Sequence, residues 1–171
     1  MTQLISYKGK MPVLDSDVYV APGAILVGDV VLGEGTSVWM NCVLRGDTNF
    51  IRVGKKTNIQ DLTVVHVAAD IMSTHIGSYV TIGHRAIVHA CTIEDACLIG
   101  MGAIIMDRAV VGQGSLVAAG ALVPEGMVIP PGYVVMGAPA KIKRPVHEAE
   151  REWIHQSAEN YYQLAKTYLG S

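Results

Sequence analysis

Large aromatic side chains are scarce in this chain. Of 171 residues one is Phe and two are Trp, although half are apolar. Any core must therefore be aliphatic. Basic stripes and runs are also missing and the net charge is −2, so neither nucleic-acid binding nor an anionic-membrane role gains support. No stretch approaches the roughly 18 to 20 apolar residues of a membrane span. The opening MTQLISYKGKMPVL lacks the apolar run of a secretion signal, and a cytoplasmic protein is expected. The three cysteines, Cys42, Cys91 and Cys97, are odd in number and lack CxxC spacing. They are expected as buried thiols rather than a disulfide or a cysteine-ligated metal site. Helix-forming runs are few before residue 145. The length suits a single domain over residues 1–171.

What the chain does have is a period of six. Counting from Leu14, the series runs through Val20, Leu26, Leu32, Val38 and Leu44, and resumes at Val53, Ile59 and Val65. It continues with Ile76, Ile82 and Val88, then Ile93, Ile99 and Ile105, then Val111, Val117, Val123, Ile129 and Val135. Three steps break the period: Leu44 to Val53, Val65 to Ile76, and Val88 to Ile93. Gly often follows the aliphatic, as at Gly33, Gly54, Gly77, Gly83, Gly100 and Gly112. A small residue comes four places after it in most units, Thr92 among them. Hexapeptide repeats of this kind predict a parallel β-helix over about residues 12–140, in which three units make one coil and the aliphatics stack inside. An aliphatic β-sandwich is the rival, but it gives no reason for a period of six. The pattern resembles the left-handed parallel β-helix of the hexapeptide-repeat proteins; the hand comes from that resemblance, since the general rule favours right-handed crossovers.

After Val146 the texture changes. Ala149, Trp153, Ile154, Ala158, Tyr161, Leu164, Ala165, Tyr168 and Leu169 recur at three and four, which predicts an amphipathic C-terminal α-helix over residues 146–169. It is expected to lie on the outside of the prism or at a subunit seam, with its aromatic residues serving packing and His147 and His155 facing solvent.

Four of the six histidines fall between Val65 and His89. With three hexads per coil, Val65 and Val88 share a face, and so do Ile59 and Ile82. His66 and His89 each follow the shared-face aliphatic, so they point outward together, one coil apart at about 4.8 Å. His84 belongs to the other face and reaches the pair if a neighbouring copy brings it there, which three-fold packing does. Three imidazoles with a fourth position open is the form of a catalytic zinc site; Fe2+ and Co2+ also accept imidazole. Arg45 precedes His66 in the outward column, Asp47 stands two residues on, and Asp61 sits one coil before His84. Arg45 and Asp47 are expected as ion-pair groups that fix assembly, and Gln60 as a hydrogen-bonding partner of a water at the metal.

RGD at 45–47, NIQD at 58–61, His66, and His84 and His89 with four residues between them together resemble the γ-class carbonic anhydrases, in the shorter bacterial form, over nearly the whole chain. The resemblance implies a homotrimer with Zn2+ held by His66 and His89 of one subunit and His84 of the next. It implies Arg45, Asp47 and Asp61 at the seam or supporting the ligands, and reversible hydration of CO2. The chain departs from the family where a glutamate follows the aspartate of the first motif, since Thr48 stands there. The loop after His66 is a short AADIMST offering Asp70 and His75 in place of an acidic loop. Slow or buffer-dependent turnover is therefore expected. Tyr161 is a candidate for a hydroxyl near the metal. Two other readings stay open: an acyltransferase or thioesterase acting on a CoA ester, with His75 or His84 as base, and a non-catalytic trimeric scaffold around a structural metal.

Overall fold

The period of six becomes a three-sided prism. In the computed structural model, which describes residues 3–70 and 72–170, each coil lays short strands on three faces, stacked in parallel. One face, the histidine face, stacks Val64–His66, Ile87–His89, Ile104–Ile105 and Leu122–Val123. The helix face stacks Tyr19–Val20, Ser37–Val38, Asn58–Ile59, Thr81–Ile82, Leu98–Ile99, Leu116–Val117 and Tyr133–Met136, seven parallel strands and hence seven coils. The third face stacks Thr74–Ile76, Thr92–Ile93, Val110–Val111 and Val128–Ile129. Two longer strands, Ile25–Leu32 and Val43–Val53, cross the corner between the histidine face and the third face and join them into one sheet. The step from Leu44 to Val53, expected as a lengthened connection, is thus part of a continuous strand. Its pairing slips between Gly28 and Val30, where Asp29 alone stands opposite residues 47–50.

Packing explains the composition. Leu26, Leu44, Ile59, Val65, Ile82, Val88, Ile99 and Ile105 are fully buried along the prism axis, each contributing about 1.5–3 kcal/mol of apolar burial. Leu14 and Val20, in the first coil, are partly exposed. In most units a small residue occupies the place two before the aliphatic, where the coil turns. Ala24, Thr36, Cys42, Thr57, Thr63, Ala86, Cys97, Ala103 and Ala109 are fully buried there. Counting forward from Val88 predicts Thr92 at such a corner. The step to Ile93 is one residue short, however, and fully buried Cys91 takes the place while Thr92 is half-exposed. Corner hydroxyls donate to carbonyls of the next coil, Thr36 to Gly54 at 2.7 Å and Thr57 to Gly77 at 2.7 Å, and no buried side-chain nitrogen or oxygen is left unpaired among the described residues. Gly100 follows Ile99 for a steric reason: a Cβ there would lie 2.4 Å from the amide nitrogen of Ala119 in the next coil.

The coil turns at the third place after the aliphatic, in left-handed backbone. Gly35, Gly102, Gly114 and Gly120 stand there, but so do Asn41, Leu62, Arg85, Ala96 and Arg108. Each non-glycine example costs about 1–2 kcal/mol. All three cysteines are buried and unpaired, as expected. Burial pushes the Cys42 thiol up to about 11 and those of Cys91 and Cys97 up to about 12, which makes them inert.

The C-terminal helix spans Glu148–Leu169 and lies on the helix face. Ile154 packs with Leu98, Val134 and Val146, and Ala165 with Tyr19, Ala21 and Trp39. The Trp39 ring meets Tyr161 and Tyr168 edge-on at 5.4 and 5.5 Å, so the aromatics do serve packing. His147 and His155 are exposed. Arg144 grips Glu150 through two hydrogen bonds of 2.7 and 2.8 Å at the helix start. Before the helix the chain reverses, and Lys141–Pro145 pairs antiparallel with Tyr133–Met136 over the last coil. Among the described residues no helix is long and apolar enough to cross a membrane.

Candidate metal centre

His66 and His89 are direct register partners on adjacent strands, with Arg45 the partner of His66 one coil before. The inward Val65 and Val88 fix the alternation, so both imidazoles leave the prism on the same side. They stand at the edge of the histidine face that adjoins the third face. Their ring centroids are 5.1 Å apart, and His66 Nδ1 lies 3.1 Å from His89 Nε2. Each ring turns its other nitrogen to a carboxylate: His66 Nε2 to Asp47 Oδ1 at 3.2 Å, and His89 Nδ1 to Asp107 Oδ1 at 2.5 Å. Asp47 also pairs closely with Arg45 and accepts the Thr48 amide hydrogen at 2.8 Å. Burial raises the Asp47 carboxyl, but the hydrogen bonds from Arg45 and His66 outweigh it and bring it below the usual range. Burial lowers His66, against the opposing hydrogen bond with Asp47, and so favours the neutral imidazole that binds metal.

These four side chains form a row with three gaps, and proton counting tests whether a metal fits. Two neutral imidazoles carry two N–H groups. When each is directed at its own carboxylate, His66 Nδ1 and His89 Nε2 are left facing one another as bare lone pairs at 3.1 Å. Two facing lone pairs repel unless a cation joins them. Two nitrogens on a tetrahedral zinc with bonds of 2.0–2.1 Å are about 3.3 Å apart. The separation and the donor chemistry both fit a divalent ion.

The third predicted ligand stands at the opposite edge of the same face. His84 follows Ile82 of the helix face, and its Nδ1 lies 2.9 Å from Asp61 Oδ2. Among the described residues of one chain, no three metal-binding side chains gather at a point. His84 instead lines a cavity of about 400 Å³ together with Gln60, Met101, Trp153, Ser157 and Tyr161. Gln60, 4% exposed, is held by a chain of hydrogen bonds. Its Nε2 donates to Asn58 Oδ1 at 3.1 Å, Asn58 Nδ2 donates to Thr81 Oγ1 at 2.9 Å, and Thr81 Oγ1 donates to Ser157 Oγ at 3.2 Å. His75 stands on the third face, as the register partner of Arg52 and Thr92, and meets Phe50 edge-on at 5.2 Å. Asp70 is exposed, and Ile71 of the same loop lies outside the described residues.

Asp107 was not among the residues the sequence singled out. It stands two places after Ile105, as Asp61 does after Ile59 and His84 after Ile82, and that shared offset is the signal that could have found it.

Comparison with known proteins identifies the family. The family model that matches, over residues 4–169, is described as dynactin subunit 5. Gamma carbonic anhydrase 2 of Arabidopsis thaliana is 48% identical over 96% of this chain, which spans 61% of that protein's length. The probable carbonic anhydrase of Methanocaldococcus jannaschii is 47% identical over 90% of this chain and 96% of its own. Among solved structures, a hexapeptide transferase family protein from Anaplasma phagocytophilum superposes with a TM-score of 0.93 at 45% identity, covering 96% of this chain and 97% of that one. With near-complete coverage of the archaeal relative and the coil-by-coil register of the prism, the chain belongs to the γ-class carbonic anhydrase-like family of hexapeptide-repeat proteins.

Proposed function

We propose that three copies of the chain form a closed ring, in which His66 and His89 of one copy and His84 of the next hold Zn2+, and that this site hydrates CO2 reversibly to bicarbonate. The observation that carries the reading is the pair of imidazole nitrogens facing one another at 3.1 Å with a carboxylate behind each. His84 at the opposite edge of the histidine face supports the ring, because a head-to-tail packing of that face brings one edge against the other. Outward Val64 and Ile87 on the same face are exposed apolar side chains that such packing would cover. Fe2+ and Co2+ suit the same donors. The relatives named as carbonic anhydrases include archaeal and plant proteins; the cytoplasm is the location proposed here.

Zinc held by His66, His89 and the neighbouring copy's His84 would supply a water acidified to a pKa of about 7, and so a nucleophile at neutral pH. The protein does the rest. Gln60, fixed through Asn58, orients the attacking oxygen. Tyr161 brings a hydroxyl to the cavity wall, and Met101 and Trp153 keep that wall apolar enough for CO2. Arg45, Asp47 and Asp61 hold the imidazoles and the seam in place. With Thr48 in place of a glutamate and Asp70 exposed, proton removal is left to the buffer, and turnover follows it.

A mixing experiment tests the shared site. His66→Ala and His84→Ala chains each lose metal. Mixed trimers contain seams that join an intact His66–His89 edge to an intact His84, and these should regain metal and CO2 hydration. If trimers shown to be mixed recover no metal, the shared site is refuted. A second reading, acyl transfer from a CoA ester, draws on His84 beside its cavity and on the transferase name of the Anaplasma relative. Saturable acetyl-CoA binding by metal-free protein would favour it. A scaffold with a structural metal would show no exchangeable fourth ligand.

A further inference from the structure

We propose that Asp107 is the positioning residue for His89: it takes the Nδ1–H, so that Nε2 is presented bare toward His66 and the shared metal. The inference rests on the metal reading for its consequence but not for its test.

Four observations carry it. First, the contact of 2.5 Å between His89 Nδ1 and Asp107 Oδ1 is the shortest that either imidazole of the pair makes. Second, Asp107 is held by backbone on both sides. The amide of Arg108 donates to the Ala90 carbonyl at 2.8 Å, in the coil of His89, and the amide of Gly126 donates to the Asp107 carbonyl at 2.8 Å from the coil beyond. A carboxylate on so fixed a turn orients its partner rather than following it. Third, the turn after His89 is the short one. Ala90 is fully buried with left-handed backbone, and Ile93 follows Val88 after five residues instead of six. Fourth, neighbouring charges do not compete for the carboxylate. Arg108 pairs with Glu125. Asp47, by contrast, divides its oxygens among Arg45, the Thr48 amide and His66.

Carboxylate partners of metal-bound histidines fix the tautomer and raise ligand basicity, and their loss typically weakens metal binding 10- to 100-fold. Asp47 and Asp107 therefore stand in unequal roles, one shared with the seam and the other given to a single imidazole.

The test uses full-length protein with 15N-labelled histidine, metal-free at pH 8, and a two-bond 1H–15N correlation that reads which ring nitrogen of His89 carries the proton. The wild type should show His89 protonated at Nδ1. Asp107→Ala should move His89 to a mixture or to Nε2–H, and Asp107→Asn, whose Oδ1 still accepts, should keep most of the Nδ1–H form. Zn2+ competition against a chromophoric chelator should then show affinity about 10- to 100-fold lower for Asp107→Ala and a smaller loss for Asp107→Asn. An unchanged His89 tautomer in Asp107→Ala overturns the proposal, whatever the metal does. If Asp107→Ala fails to fold, an Asp107→Asn protein with wild-type tautomer and at least tenfold weaker Zn2+ binding overturns it too, because the hydrogen bond would then not be what matters. A wild type that shows the expected tautomer, switches it on loss of Asp107 and binds no Zn2+ would sink the metal reading while leaving Asp107 in its place.

Discussion

From Ile93 to Val135 the inward aliphatic recurs every six residues without a break. Between Leu44 and Ile93 the period fails three times, by steps of nine (44 to 53), eleven (65 to 76) and five (88 to 93) residues. All three irregular steps fall on one corner of the prism, where the histidine face meets the third face, in three consecutive coils. Asp47, His66 and His89 stand there. The regular coils form a well-packed rod, and the broken ones give up that regularity where outward side chains must meet at a chosen distance. A repeat protein can thus be searched for its site by asking where the repeat is interrupted.

Three substitutions and one insertion sharpen or break this contrast. The largest effect belongs to the regular region. Ile99→Ala should lower unfolding free energy by about 2–5 kcal/mol, because a fully buried side chain leaves a cavity between rigid coils. Denaturant unfolding read by circular dichroism checks it. The broken corner should respond in the opposite sense. One glycine inserted after Ala90 restores the step of six, and the prism should stay folded, with a melting midpoint within a few degrees of wild type. Its Zn2+ affinity should fall at least tenfold, about 1.4 kcal/mol, as His89 turns away from Asp107. If such a protein binds Zn2+ as tightly as wild type, the short turn has no part in the site.

Arg45→Ala should loosen the proposed trimer, since Asp47 would lose its guanidinium beside the seam. Light scattering across a dilution series should show dissociation at protein concentrations where the wild type remains assembled. The smallest effect is expected at Ala96, on the third face's left-handed turn. Ala96→Gly should raise stability by up to about 1 kcal/mol, as alanine strains there and glycine does not.

Acid should act on the corner first. Burial holds the folded pKa of His66 below its unfolded value of about 6.5. Its contribution to stability is therefore complete above about pH 6.5 and is lost as pH falls through the lowered folded value. Asp47 behaves alike over the carboxylate range, where its pKa is also lowered. The difference between wild type and His66→Gln in denaturant midpoint should accordingly depend on pH in the mildly acid range and be flat at alkaline pH.

The ladder of aliphatics was legible because a stacked coil demands the same side chain at the same phase, and a period of six is hard to obtain otherwise. The faces of His66, His89 and His84 followed from that phase alone. What escaped has physical reasons. The strand Val43–Val53 hid because a strand can bend around a corner while keeping its hydrogen bonds. Cys91 was passed over for Thr92 because the small residue is set by the strand it precedes, not by the one it follows. Asp107 escaped because it lies 18 residues from His89 in an unbroken stretch, and only its offset from Ile105, shared with Asp61 and His84, marks it.

A stack of coils carries no internal instruction to stop. Its last coil offers unpaired backbone to any further strand, and a second molecule could extend it end to end into a fibre. The reversal at Lys141–Pro145 closes that route. By lying antiparallel on Tyr133–Met136 it occupies the open edge with a segment of opposite direction, so the parallel register cannot be continued there. Lys141, Lys143, Arg144 and Pro145 then present charge and a missing amide hydrogen to anything that approaches. On the helix face, growth from this end of the rod is thereby blocked.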